Sequence, residues 1–205
     1  VEALLRTKIQ KCHRAQFIFS GSKRHIMSNM FNSPAKPFYQ SAISMGLEPI
    51  PLPIYSEFVI SLFKERDKNI ESEVIESVWN QYDGYTWFVQ MMMNELFSLT
   101  ATNETCKTDM IPKAKHNVVL SQESSYKDLL SNLPPKQKIV LQAIAKEGIA
   151  RNITSSKFIK KYNLNSASSV QAAVKLLLKN DLLTQIDNGY RVYDFFLSEW
   201  LATVY

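Results

Sequence analysis

The sequence predicts a mainly α-helical protein with a small β component. Three observations lead to this fold class. Apolar residues recur at helical spacing through much of residues 54–205, an Asn188-Gly189 pair separates two short apolar runs, and Phe17–Ser20 has the character of a buried strand. These signals divide the chain into four predicted segments, which are 1–53, 54–100, 101–133 and 134–205.

The first segment opens with a predicted helix, Glu2–Arg14, which the strand Phe17–Ser20 follows. The strand turns at once through Gly21-Ser22 into the basic triplet Lys23-Arg24-His25. A strand that ends in a small turn with fixed cations is typical of the carboxyl edge of α/β nucleotide-binding sheets. No GxxxxGK[ST] phosphate loop accompanies it, because the five glycines are scattered. Three prolines between 49 and 53 allow at most a short extended edge segment over Leu47–Leu52.

Residues 54–100 predict a small subdomain of three helices. The first helix has one apolar stripe, formed by Tyr55, Phe58, Val59, Leu62 and Phe63. The second helix is expected to end at Asp83-Gly84, with Gly84 in the left-handed conformation just after the helix. The third runs from about Tyr85 to Phe97, and its three consecutive methionines are expected in the core.

Residues 100–117 are polar and predict a linker or exposed loop, followed by a helix over about Ser121–Leu130.

Residues 134–205 predict a winged helix, that is, three helices, a β-hairpin and a closing helix. The first helix begins at Pro134-Pro135 and ends at Gly148. Thr154 is the predicted N-cap of the second helix, and Ser166 precedes the third. The remaining elements are the strand Leu182–Ile186, its partner Tyr190–Tyr193 and the helix Phe195–Val204.

The net charge of +5 lies in the last third of the chain. Residues 1–133 carry 14 basic and 14 acidic side chains, whereas residues 134–205 carry 10 basic and 5 acidic ones. This asymmetry favours an anionic partner, nucleic acid above all.

Two cysteines cannot form a disulfide framework, so a reducing, cytoplasmic location is expected. Cys12-His13 lacks the further ligands of a zinc site, and no metal site is predicted. No apolar run reaches the ~18 residues of a membrane helix, so no membrane partner is expected. The first residue is Val, which favours a trimmed or truncated product.

Several stretches, read in order, carry a family resemblance: LLRTKIQ, FIFSGSKRHIMSNMF, KPFYQSA, LEPIPLPIYSEFVISLF, DGYTWFVQMMMNELF and VYDFFLSEWL. With them the chain resembles the C-terminal portion of prokaryotic P-loop ATPases of the "archaeal ATPase" type, relatives of AAA+ and STAND (NB-ARC-like) nucleotide switches. The resemblance implies a remnant of an α/β nucleotide-binding core, a helical lid subdomain and a C-terminal winged helix. It also implies that the phosphate loop and the acidic, magnesium-holding strand precede residue 1.

The resemblance implies functional residues as well. Ser22, Lys23 and Arg24 would sense the γ-phosphate, and Gly84, Tyr85 and Trp87 would form the lid turn near the adenine. Thr86 stands where these relatives have proline. ATP and Mg²⁺ would be cofactors of the whole parent protein, with its N-terminal P-loop segment as the partner of this chain. The chain alone is expected neither to bind ATP tightly nor to hydrolyse it.

An alternative function is DNA binding by the winged helix. Its third helix would present Ser168, Gln171 and Lys175 to a major groove. The phosphate contacts would come from Lys157, Lys160, Lys161 and Arg191. The third helix carries no arginine, which weighs against specific base reading. A self-contained enzyme has little support, because no Ser-His-acid, Cys-His or metal constellation can be assembled.

Overall fold

The computed structural model describes residues 1–21 and 24–204, without the side chains of Arg24, His25 and Val204. The chain divides into two compact units, Val1–Glu48 and Pro49–Tyr205. Each unit is described separately below.

The first unit contains two short helices, α1 (Glu2–Gln10) and α2 (Arg24–Asn32). Its buried centre is a cluster of three phenylalanine rings whose centroids lie 5.1–5.6 Å apart. The cluster consists of Phe19, Phe31 and Phe38. Helix α1 buries none of its side chains, and it ends before the predicted Arg14. This unit therefore has very little core of its own.

The predicted strand Phe17–Ser20 is wrong for this structure. These residues form no ladder, and the side chain of Ile18 is 96% exposed. A strand needs a neighbour to satisfy its backbone N–H and C=O groups, and the described part of 1–48 supplies none. The predicted extended segment Leu47–Leu52 is likewise unpaired, and a helix begins at Leu52.

The second unit begins with the three helices that the sequence predicts, now placed at α3 (Leu52–Lys64), α4 (Ser72–Gln81) and α5 (Thr86–Leu99). Helix α4 buries Val74, Ile75 and Val78. Of the three methionines expected in the core, Met92 and Met93 are buried and Met91 is partly buried. A short parallel bridge between β1 (Asn69–Ile70) and β2 (Thr105–Cys106) was not predicted. Two-residue strands carry no periodic signal, so the sequence could not indicate this pairing.

The loop predicted over residues 100–117 is wrong in its second half. A 3₁₀ turn at Thr108–Met110 leads into α6 (Ile111–Ser121), and α7 (Glu123–Ser131) follows. Helix α6 begins with a proline in its first turn and buries Ala114 and Val118. Tertiary packing, with Asn117 donating to Glu95 on α5 at 2.7 Å, stabilises a helix whose composition is too polar to predict it.

The C-terminal elements form a winged helix, as predicted. They are α8 (Pro135–Glu147), β3 (Ala150–Arg151), α9 (Ser156–Lys161), α10 (Ala167–Lys179), β4 (Leu183–Ile186), β5 (Gly189–Val192) and α11 (Phe195–Val204). The three strands form an antiparallel sheet in the order β3-β5-β4. Strand β3 was missed, since it is two residues long.

Two local predictions in the winged helix are displaced by one residue. The N-cap of α9 is Ser155 rather than Thr154, because the Ser155 hydroxyl accepts from the Phe158 N–H at 3.2 Å. The hairpin loop is Asp187-Asn188, both with positive φ, and Gly189 begins β5. Glycine at 189 allows β5 to approach β3 closely, since a Cβ there would lie 3.0 Å from the Ile149 side chain and 3.1 Å from the Ala150 carbonyl oxygen.

The buried side chains of the second unit form one continuous core from α3 to α11. No helix among the described residues is both long enough and apolar enough to span a bilayer.

Candidate functional site

The predicted nucleotide-sensing residues are only partly visible. Ser22 and Lys23 lie outside the described residues, and Arg24 is the first residue of α2, with its side chain also outside the description. The predicted sensing role therefore stays a prediction. Phe17, at the start of the predicted strand that precedes the triplet, is 44% exposed.

The turn that connects α4 to α5, residues 82–85, has a closed hydrogen-bonded geometry. The Gly84 N–H donates to the Trp79 carbonyl at 2.9 Å, and the Asp83 N–H donates to the Asn80 carbonyl at 3.3 Å. This pattern is the Schellman motif that commonly ends helices. Gly84 adopts the predicted left-handed conformation at φ +66°, but Asp83 at φ +50° occupies the position directly after the helix.

Gly84 lies in a narrow space between two side chains. A Cβ at this position would lie 2.6 Å from the Trp79 ring and 3.0 Å from the Pro49 Cβ. The Trp79 indole N–H also donates to the Ile50 carbonyl at 3.2 Å. The 82–85 turn is thereby packed against the first residues of the second unit.

Tyr85 and Trp87, the predicted adenine-side aromatics, flank this turn and pack against the last helix. Their ring centroids lie 6.0 Å from those of Phe195 and Phe196 respectively. Tyr85 is 44% exposed and Trp87 is 53% exposed, so neither is a core residue. Beneath them Tyr82 and Phe88 complete a cluster of aromatic rings with the α11 phenylalanines. The structure thus brings the predicted lid residues together with the winged helix.

Arg191, a predicted phosphate contact on the wing, is engaged inside the protein. Its Nη1 donates to the Asp83 Oδ2 at 2.5 Å, and its guanidinium lies 4.6 Å from the centroid of the Phe195 ring. The side chain is only 16% exposed. Arg191 consequently connects the wing to the 82–85 turn, and a DNA phosphate would have to displace Asp83 to reach it.

The remaining candidate DNA-contact residues lie on the surface of α9 and α10. Ser168, Gln171 and Lys175 on α10 are exposed, as are Lys157 and Lys160 on α9.

Lys161, the last of these candidates, is paired within the winged helix. Its ammonium and the Tyr162 hydroxyl both donate to the Glu147 Oε1, at 2.7 Å and 2.6 Å. These two hydrogen bonds lower the pKa of Glu147, and the bond from Lys161 to the carboxylate raises the pKa of the lysine. With Arg191 and Lys161 both paired to carboxylates, the DNA-binding alternative is not favoured.

A buried carboxylate that the sequence analysis did not single out begins the last helix. Asp194 accepts from the backbone N–H groups of Phe196 at 2.8 Å and Leu197 at 2.9 Å, so it caps α11. Burial raises its pKa, and this outweighs the lowering effect of the backbone N–H groups and of Tyr126. An aspartate directly before an apolar helix is an N-cap signal, and it could have identified this residue.

The predicted apolar stripe of α3 is only half buried. Tyr55, Val59 and Phe63 are in the core, whereas Phe58 and Leu62 are exposed by 49% and 36%. These two side chains line a cavity of about 290 Å³ between α3 and α5. Among the described residues, no three His, Cys, Asp or Glu side chains cluster closely enough to bind a metal ion.

Comparison with known proteins gives two findings. A family model described as "Probable winged helix domain" matches residues 124–203. Among solved structures, the Walker-type ATPase PABY2304 of Pyrococcus abyssi is similar to this chain with a TM-score of 0.67 and 18% sequence identity. The similarity covers 98% of this chain and 56% of that chain, so this chain spans little more than half the length of the ATPase. No curated protein matches the sequence.

These findings define the class of fold at a coarse level. The fold of the chain is similar to that of part of a Walker-type ATPase, and residues 124–203 match a winged-helix domain.

Proposed function

We propose that the chain is the sensor, lid and winged-helix part of an ATP-dependent molecular switch of the AAA+/STAND kind. ATP and Mg²⁺ would bind mainly to a P-loop segment of the same parent protein, and this chain would respond to the state of the nucleotide. The observation that carries the proposal is the similarity to a Walker-type ATPase, which extends over 98% of the chain.

The γ-phosphate sensor in this proposal is the basic stretch after Gly21, with Arg24 or Lys23 as the cation and Ser22 as a polar neighbour. A guanidinium donates two parallel hydrogen bonds to phosphate oxygens, so an arginine here could distinguish ATP from ADP. The Mg²⁺ ligands and the backbone cradle for the phosphates would come from the P-loop segment.

The adenine contact in this proposal is the surface beside the 82–85 turn. Gly84 allows the backbone to turn closely, and Tyr85 and Trp87 are each about half exposed and could stack on a base. Residue 86, where the related ATPases are expected to have proline, is threonine in this chain.

The exposed apolar surface of the first unit supports the proposal that this unit packs against a further segment of the parent protein. Leu4 is 66% exposed, Ile18 is 96% exposed, and α1 buries nothing. Scattered exposed apolar residues are normal, but a unit of 48 residues with hardly any core is not expected to be stable alone. A segment that joins no sheet among the described residues, such as Phe17–Ser20, can pair with the edge of a partner's sheet. We propose that the P-loop segment supplies this sheet.

The output of the switch would be a rotation of the second unit. The proline-rich segment 49–53, at the boundary of the two units, is the proposed hinge. Because the core runs without interruption from α3 to α11, the lid helices and the winged helix would move together.

Calorimetry of MgATP and MgADP binding tests the proposal. The protein would be the polypeptide extended upstream of Val1, where a strand followed by GxxxxGK[ST] is expected. Arg24→Ala is expected to weaken MgATP binding by about tenfold or more, the value of one charge-assisted contact, and MgADP binding far less. Lys175→Ala, on the exposed face of α10, is the matched control and should bind both nucleotides normally. Equal losses for ATP and ADP, or no nucleotide binding at all, would contradict the proposed function.

A further inference from the structure

The 82–85 turn contacts the structure on two sides, and these contacts belong to distant parts of the chain. On one side it packs against Pro49 and Trp79, and on the other side Asp83 pairs with Arg191 of the wing. We propose that this turn is a mechanical coupling element, which transmits displacements of the segment Pro49–Ile50 to the wing, the β4–β5 hairpin.

The upstream contact is specific in geometry. The Trp79 indole donates to the Ile50 carbonyl at 3.2 Å, and the same ring lies where a Cβ of residue 84 would be. Pro49 lies on the other side of Gly84, with its Cβ 3.0 Å from that position. Gly84 is therefore held between the first residues of the unit and the end of α4. A shift of Pro49–Ile50 must move either Trp79 or the turn, because closely packed atoms cannot be compressed.

The downstream contact joins the turn to the wing across 108 residues of sequence. Arg191 both pairs with Asp83 and covers the Phe195 ring, so its side chain is fixed from two directions. Arg191 is 16% exposed and Asp83 is 52% exposed, so solvent and salt reach this pair from the aspartate side alone. Arg191 also lies opposite Thr184 in the β4–β5 ladder, so a displacement of Arg191 acts on both strands.

The turn itself is too constrained to absorb a displacement. Asp83 and Gly84 both adopt left-handed backbone conformations, and the Schellman hydrogen bonds tie them to α4. The stacked pair Tyr82–Phe88 anchors the turn from beneath, with ring centroids 6.1 Å apart. Movement at one contact is thus passed to the other. This coupling is a property of residues 49–205 and requires no bound nucleotide.

Hydrogen exchange of the 205-residue chain, without nucleotide, tests the inference. Trp79→Phe keeps a ring beside Gly84 but removes the donor to Ile50, whereas Asp83→Asn removes only the charge that holds Arg191. Each variant is expected to raise amide exchange by about threefold or more at both Tyr55–Phe58, where the Tyr55 N–H donates to the Pro51 carbonyl at 3.0 Å, and Tyr190–Val192, although each removes a contact at one end alone. Trp87→Phe and Asp128→Asn are the matched controls, because Trp87 packs on Phe88 and Phe196 and Asp128 lies on α7, so neither takes part in the contact with Pro49–Ile50 or in the pair with Arg191. They are expected to leave both segments at the wild-type rate.

The double variant distinguishes coupling from general loosening. If the turn couples the two contacts, the second substitution has a smaller effect once the first is present. The increase in exchange rate in the double variant is then about threefold smaller than the product of the two single-variant increases. Effects confined to the altered end, or single effects that multiply in the double variant, would overturn the inference. Should Trp79→Phe unfold the protein, as judged by circular dichroism, Asp83→Asn alone decides through the exchange rate at Tyr55–Phe58. These outcomes are independent of ATP binding, so failure here leaves the proposed function untouched, and the reverse also holds.

Discussion

The two compact units of this chain differ in how far they can stabilise themselves. Residues 1–48 contain two short helices and a cluster of three phenylalanines, with apolar side chains such as Ile43 almost fully exposed. Residues 49–205 contain one continuous core in which many side chains, among them Leu141, have no exposure. The difference teaches that apolar content alone does not make a domain. The described part of the first unit has exposed apolar side chains and forms no sheet against which they could pack.

A pair of matched truncations is expected to give the largest difference between the two units. Leu141→Ala removes a fully buried side chain from α8 and should lower the free energy of unfolding by about 2–5 kcal/mol. Leu4→Ala, on the 66% exposed face of α1, should change it by at most about 0.5 kcal/mol. Urea unfolding followed by circular dichroism measures both. Similar losses would show that the first unit has a core that contributes to global stability.

Two glycines, one in each unit, allow the same comparison of stability to be made for the backbone. Gly84→Ala places a Cβ at φ +66° and against Trp79, and it should destabilise the protein by about 1–2 kcal/mol or more. Gly46→Ala in the first unit meets only the Glu48 carboxylate at 3.6 Å, so little change is expected. Thermal unfolding of the two variants provides the test. A harmless Gly84→Ala would mean that the turn is more adaptable than its geometry indicates.

The smallest expected effect is on how the stability of the second unit depends on pH. Since burial raises the pKa of Asp194, the folded protein keeps this proton at pH values where the unfolded chain has lost it. Unfolding then releases a proton, so the contribution of Asp194 to stability is present at low pH and is lost as pH rises through the folded-state pKa. Asp194→Asn should remove this dependence while keeping an oxygen that accepts from Phe196 and Leu197.

Urea unfolding of the wild type and Asp194→Asn, from about pH 3 to about pH 7, brackets the ordinary aspartate pKa of about 3.9. The stability of the wild type relative to the variant should fall as the pH rises. A relative stability that rises with pH would mean that the backbone N–H groups outweigh burial.

Local signals account for what the sequence could predict. Helical periodicity located α3, α4, α5, α8 and α10, and the Asn188-Gly189 pair located the hairpin to within one residue. Gly148 ends α8 as predicted, with φ +66°. Each of these features depends on residues close together in sequence, and winged-helix architecture follows from their order.

Features that depend on distant residues could not be predicted. Helix α6 is stabilised by its contacts with α5 rather than by its own composition, and strand β3 exists only because β5 pairs with it. The same dependence made the strand at Phe17–Ser20 wrong, since a strand without a neighbour does not form. At the site, the pairing of Asp83 with Arg191 gave no sequence signal, although Gly84, Tyr85 and Trp87 were singled out for another reason.

The most direct test of the central claim is hydrogen exchange of residues 1–48 in two polypeptides, the 205-residue chain and its upstream extension with MgATP. If a P-loop segment completes the first unit, exchange over Phe17–Ser20 and α1 should slow by about a hundredfold or more in the extended protein, while α5 and α8 stay unchanged. Unchanged, rapid exchange over Phe17–Ser20 in the extended protein would contradict the account.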